Sequence, residues 1–276
     1  MALDRYDVKN KGIEELISVH DSLAVLQNHT QKRKEGNGDE REAAAKFLKQ
    51  SAVDHYTWAT EGKYTGTVDD ISDEEVEEAL KARGAILNMN RTDLFSYNLD
   101  TILSEGEGGI GRKALEVLVS QKEVGENIKD EDAETFVLYR EIAKMREFRE
   151  RYAKHGERVL DEKEAKKISA YAFEGATKDT RKVFKDAGYD EDMQEIAATS
   201  TKIAIASGNY DRKDIEKYAL DGIDSEIVKL EETYKKASEK RDIYAVVADA
   251  VKNIEKQDRG KAMHLVIGSY KSAKVA

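Results

Sequence analysis

Cysteine is absent from the 276 residues, which excludes disulfides, thiolate metal sites and a cysteine nucleophile in one step. Proline is absent too, although average usage of roughly 5% would supply about a dozen. No helix is therefore broken from within by a residue lacking a backbone N–H. Turns fall to Gly, Asn and Asp, which accept positive φ. Long apolar runs are also missing. The best of them, Ile243 to Val251, is interrupted by Asp249, well short of the ~20 apolar residues that a membrane helix needs. Met1 to Asp7 does not show the basic-then-apolar order of a secretory signal. A cytoplasmic protein without a membrane partner is the expectation.

Charge is what the chain has in excess. Charged residues make up 37% and hydrophobic residues 39%, a mixture suited to amphipathic helices with heavily charged outer faces. The net charge of −10 opposes attraction to nucleic acid or anionic lipid. The one compact basic run, Lys32-Arg33-Lys34, reads as a helix C-terminus, where cations meet the dipole.

Apolar spacing predicts a helix over 10–34 through Ile13, Leu16, Ile17, Leu23 and Leu26, ended by Gly36-Asn37-Gly38. A second helix, about 40–60, is expected to start at Asp39 as N-cap with Glu42 completing a capping box. It carries Phe47, Leu48, Tyr56 and the only tryptophan, Trp58. Ser72 and Glu75 form another box opening a helix at 73–83, with a break at Asn88-Met89-Asn90 before a further helix at 93–104. The glycine-rich stretch 105–111 reads as a boundary. Helices at 112–121 and 130–154 follow, the latter closed by Gly156. Tyr64–Val68 and Lys202–Ser207 are read as possible minor strands.

Arg91-Thr92-Asp93-Leu94-Phe95-Ser96-Tyr97-Asn98-Leu99-Asp100-Thr101-Ile102 returns as Arg212-Lys213-Asp214-Ile215-Glu216-Lys217-Tyr218-Ala219-Leu220-Asp221-Gly222-Ile223, with six of twelve positions identical. In the same order, Asp39 to Ala43 matches Asp161 to Ala165, and Trp58 to Gly62 echoes Tyr171 to Gly175. The offsets are 122, 113 and 121 residues, so the match needs a gap and a compensating insertion. The reading is an all-α protein of two tandem, related helical units with a helical C-terminal extension. Its parts are 1–110, 111–231 and 232–276.

On a helix, Asp93, Tyr97 and Asp100 share one strip, beside an apolar stripe of Phe95, Leu99 and Ile102. The structural account assigns Asp93 and Asp214 to helix caps and places Tyr97 and Tyr218 at the edge of the core. The stretch 106–113, with Gly108, Gly109, Gly111, Arg112 and Lys113, has glycine spacing like that of a phosphate loop. The lysine, however, is displaced by one and no Ser or Thr follows it. Five histidines show no metal-ligand spacing, and the Gly-x-apolar patterns at Gly66, Gly108 and Gly208 lack acids where calcium ligands stand. No nucleophile elbow or dinucleotide fingerprint occurs. No cofactor or metal is expected.

Architecture is thus more legible than chemistry. The functional expectation is a non-enzymatic interaction or scaffold protein, binding another protein or itself through a groove between the repeats. Trp58, Tyr64, Tyr97 and Tyr218 would serve as aromatic anchors. The alternative is a small-ligand or nucleotide-binding protein using the loop at 106–113.

Overall fold

The computed structural model describes residues 12–104 and 109–275, and among them every regular element is helical. The chain divides into two compact units, Met1–Leu115 with Asp258–Ala276, and Glu116–Gln257. Residues 232–276, read from the sequence as one extension, are thereby shared between the two.

In the first unit α1 (Ile13–Glu35), α2 (Gly38–Ala59) and α3 (Asp73–Ser104) pack against one another around Leu26, Leu48, Ala52, Ile71, Val76 and Ala79. The cap of α2 is Asn37, not Asp39. The Asn37 side chain accepts from the Glu40 N–H at 3.1 Å, and Glu40 reaches back to the Asn37 N–H at 3.3 Å. Gly36 leaves α1 in extended backbone, so the next residue already occupies the cap position. The box at Ser72 and Glu75 is present as expected, with Glu75 N–H donating to Ser72 Oγ at 3.3 Å and Glu75 Oε2 accepting from Ser72 N–H at 2.8 Å.

The anticipated break at Asn88-Met89-Asn90 does not exist, and α3 runs for 32 residues without interruption. Asparagine competes with a helix by bonding local backbone, but Asn88 Oδ1 is occupied by the Arg91 guanidinium at 2.8 Å, and neither Gly nor Pro stands there to tip the balance. Asp93 consequently lies inside a helix and caps nothing. Past this point α3 buries Leu94, Phe95, Leu99, Ile102 and Leu103. α11 (Arg259–Val275) joins the same unit: Tyr270 donates its hydroxyl to the Ile102 carbonyl at 2.6 Å, Lys274 pairs with Glu14, and Lys271 pairs with Asp21. α4 (Gly109–Ser120) contains the division between the units.

The second unit holds α5 (Lys122–Glu126), α6 (Ala133–His155), α7 (Glu162–Asp186), α8 (Glu191–Ala206), α9 (Arg212–Ala237) and α10 (Ile243–Gln257). The stretch Lys202–Ser207, read from the sequence as a possible minor strand, belongs to α8 and its cap. Tyr64–Val68 is likewise not a strand. Thr135 bonds the Ala237 carbonyl, Arg146 reaches Glu231 and Arg149 holds Asp224 through two bonds of 2.6 and 3.0 Å. Partner numbers fall along α9 as they rise along α6, so these helices are antiparallel. Arg151 to Glu164 and Tyr171 to Met145 show the same for α6 and α7. α7 and α9 therefore run in the same direction.

Their crossing is made by two related pentapeptides that share Tyr, Ala and Gly at their first, second and fifth positions. Tyr171-Ala172-Phe173-Glu174-Gly175 on α7 meets Tyr218-Ala219-Leu220-Asp221-Gly222 on α9. A Cβ on Gly175 would overlap the Tyr218 carbonyl oxygen and stand 3.0 Å from the Gly222 nitrogen. A Cβ on Gly222 would overlap the Tyr171 carbonyl oxygen in return. Buried Ala172 and Ala219 complete a surface of small residues that lets the two backbones touch. Asp214 stands inside the first turn of α9, while Asp211 is its cap and accepts from the Lys213 N–H at 3.3 Å.

Arg241 secures the start of α10, donating to Asp132 at 2.8 Å and to Asp249 at 2.6 Å, with Lys129 3.1 Å from the same Asp249 carboxylate. The Arg241 hydrogen bond holds the Asp249 carboxyl below its usual range.

Candidate functional site

α2 ends in a turn that stacks aromatic side chains on its last residues. Thr60 accepts the Tyr64 N–H at 2.9 Å, and Glu61 and Gly62 both have positive φ, 55° and 81°, which turns the chain back. Tyr64 then stacks on Tyr56 with ring centroids 5.3 Å apart. The Tyr56 hydroxyl donates to the Glu75 carbonyl at 3.2 Å. A side chain at Gly66 would overlap the Tyr64 phenol, so the glycine is what leaves room for the stack.

Trp58 meets a different ring, that of His55, at 5.9 Å, and the residue is 52% exposed, a high value for an indole on a rigid helix. Beside it lies a depression of about 360 Å³ lined by Asp54, His55, Trp58, Arg83, Ile86, Leu87 and Asn90. Trp58, Ile86 and Leu87 make its apolar wall, and Asp54, Arg83 and Asn90 its polar edge. Arg83 is held in place by a 3.0 Å bond to the Ser51 carbonyl. Burial, and then the Arg83 charge, push the His55 imidazole below its ordinary value of 6.5. Both effects favour the neutral imidazole, which can donate from one ring nitrogen and accept at the other. A wider groove of about 800 Å³ lies between α1 and α3 over Leu48, with Leu23, Leu26 and Leu80 apolar and Arg33, Lys34, Glu77 and Lys81 on its edges.

The expected aromatic anchors belong to two units, Trp58, Tyr64 and Tyr97 to the first and Tyr218 to the second. Trp58 and Tyr64 lie on the same end of α2 and its following turn, but Tyr64 contacts Tyr56 rather than Trp58. Tyr97 is 71% exposed on α3. Tyr218, in the second unit, is half-buried against Tyr210, at 5.9 Å, in the α7/α9 crossing. The two tyrosines thus occupy different settings: one in the second half of a long helix, the other two turns into α9. In the glycine-rich stretch, Gly108 lies outside the described residues. Gly109 opens α4, Gly111 is buried in its first turn, Arg112 is exposed and Lys113 half-buried. His55, Arg83 and Asn90 were not selected from the sequence as a group. Only their helical spacing from Trp58 and Leu87 could have suggested them, and that requires knowing that α2 faces this part of α3. Among the described residues, no three His, Asp or Glu side chains converge as metal ligands.

A second histidine is perturbed in the same direction. His20 on α1 has its Nδ1 3.4 Å from an Arg91 nitrogen, with Lys271 and His264 of α11 nearby and Asp21 as the opposing charge. Burial first, then Arg91, lower its proton affinity. Both imidazoles therefore bind protons less well folded than unfolded. Their stabilising contribution is complete above the unfolded value near 6.5 and is lost as pH falls below it. Stability should fall between pH 7 and 5, and His20→Gln should flatten part of that slope in urea titrations at fixed ionic strength. An unchanged slope in the variant would remove His20 from the account.

Comparison with protein-family models, with curated proteins and with solved structures finds no match to this chain.

Proposed function

We propose that this chain is a non-enzymatic protein-binding module that captures a partner through the Trp58 depression. The observation that carries the reading is the half-exposed Trp58 beside a preformed hollow with an apolar wall, the anchored Arg83 and His55. Tryptophan and arginine dominate binding energy where they are fixed before the partner arrives. The hollow fits one apolar side chain of a partner, with Asp54, Arg83 and Asn90 available to bond the backbone around it. The duplicated helical framework enters this proposal from sequence order alone: Leu16, Leu23 and Leu26 of α1 correspond to Leu138, Met145 and Phe148 of α6, whereas the capping boxes of α2 and α7, at Asn37 and Asp161, do not fall at matched positions.

Trp58→Ala tests this directly. Partner recovery from the native source should fall at least about 30-fold, the equivalent of a hot spot of ~2 kcal/mol, while the thermal midpoint stays close to wild type. Because Trp58 is the only tryptophan, its emission should shift to shorter wavelength and lose quencher access when the purified partner is added. Retention of every partner by Trp58→Ala would overturn the reading.

A further inference from the structure

α8 has two faces that carry apolar residues, and among the described residues nothing covers one of them. Ala198 and Thr201 are buried against α7, where Thr201 and Thr180 share a hydrogen bond of 2.9 Å. On the opposite side, Met193, Ile196 and Ile203 are 40%, 59% and 62% exposed, in line with exposed Thr199 and Ala206. Their spacing is that of one helix face. Tyr189, just before α8, is also exposed. Solvent-facing helices normally place charge at such positions, and an exposed apolar patch of this kind marks an interaction surface.

We infer that this face of α8 is a homodimer contact, in which the helix pairs antiparallel with α8 of a second copy about a twofold axis near Thr199 and Ser200. The charges on the helix decide the occupant and the orientation. Glu191, Asp192 and Glu195 lie in its N-terminal half, and Lys202 is the one basic residue, in its C-terminal half. Parallel pairing would set three acids against three. Antiparallel pairing sets Glu195 close to Lys202 of the other copy twice over, places Ile196 opposite Ile203, and leaves the short side chains of Thr199 and Ser200 where the helices approach. The face is complementary to itself, as a twofold contact requires. Arg181, 2.8 Å from Glu195, fixes that carboxylate at the edge of the stripe. A helix of 16 residues is about 24 Å long and offers only a narrow contact, below the roughly 1,200 Å² of a stable complex. The dimer is consequently weak and reversible.

Sedimentation of the full chain between about 10 μM and 1 mM should show a monomer–dimer equilibrium. Ile196→Glu and Ile203→Glu should each weaken it at least ~10-fold. Their thermal midpoints should match wild type, since both positions are exposed. Trp58→Ala should leave association intact, which separates this contact from partner capture. The absence of cysteine supplies a second test: oxidised Ser200→Cys should form a disulfide-linked dimer, and Glu191→Cys should not. A chain that remains monomeric at 1 mM overturns the proposal. So does association that ignores both Ile substitutions, and cross-linking at 191 in preference to 200 overturns the antiparallel pairing.

Discussion

Gly175→Ala and Gly222→Ala are expected each to destabilise the second unit by about 1–3 kcal/mol, the range for forcing an atom into a closed contact. Alanine is the better helix former by up to ~1 kcal/mol, so local propensity predicts the opposite sign. Packing wins because each added Cβ would overlap a carbonyl oxygen of the facing helix. Backbone cannot turn aside as a side chain can, so α7 and α9 must separate. Separation strips contacts from Ala172, Ala219 and Ile223, all buried at the crossing. Gly268→Ala is the control. That glycine lies inside α11 with nothing within 4 Å of the added atom, and the substitution should stabilise by about 0.5–1 kcal/mol. Urea unfolding followed by far-ultraviolet circular dichroism measures all three. A neutral or stabilising result at both Gly175 and Gly222 would mean that the helices do not cross there.

Phe95→Ala should cost the first unit about 3–5 kcal/mol, whereas Tyr97→Ala, two residues along the same helix, should stay within about 0.5 kcal/mol. Phe95 is fully buried, and Tyr97 is 71% exposed. Trp58 reports the outcome, because the only tryptophan belongs to this unit. Its emission should track unfolding at markedly lower denaturant in Phe95→Ala and at the wild-type midpoint in Tyr97→Ala. Equal effects of the two substitutions would contradict the burial pattern of α3. The contrast bears on the repeated motif as well. The tyrosine common to both copies is the residue that matters less here, and Phe95, which corresponds to Glu216, is the one that holds the core.

The candidate site was legible in part. A lone tryptophan near a glycine turn is visible in any reading, and Trp58 and Tyr64 do lie at the end of α2. Arg83 and Asn90 were not recoverable, since their role depends on which face of α3 meets α2. The expected grouping of Tyr97 with Tyr218 rested on sequence identity, and their surroundings differ because exposure is set by the neighbouring helix.

The sequence by itself determined that the described chain is helical, through apolar periodicity, the lack of proline and capping signals such as Ser72 with Glu75. These are interactions within four residues, so a short window contains both partners. Tertiary structure alone decided that α3 runs unbroken past Asn88 and that residues 232–276 divide between two units. It also decided that Tyr171–Gly175 meets Tyr218–Gly222 and that one apolar face of α8 stands in water. Each of those outcomes depends on surfaces distant along the chain. A two-faced apolar helix reads the same whether one face or both are covered, and only the placement of its neighbours distinguishes them.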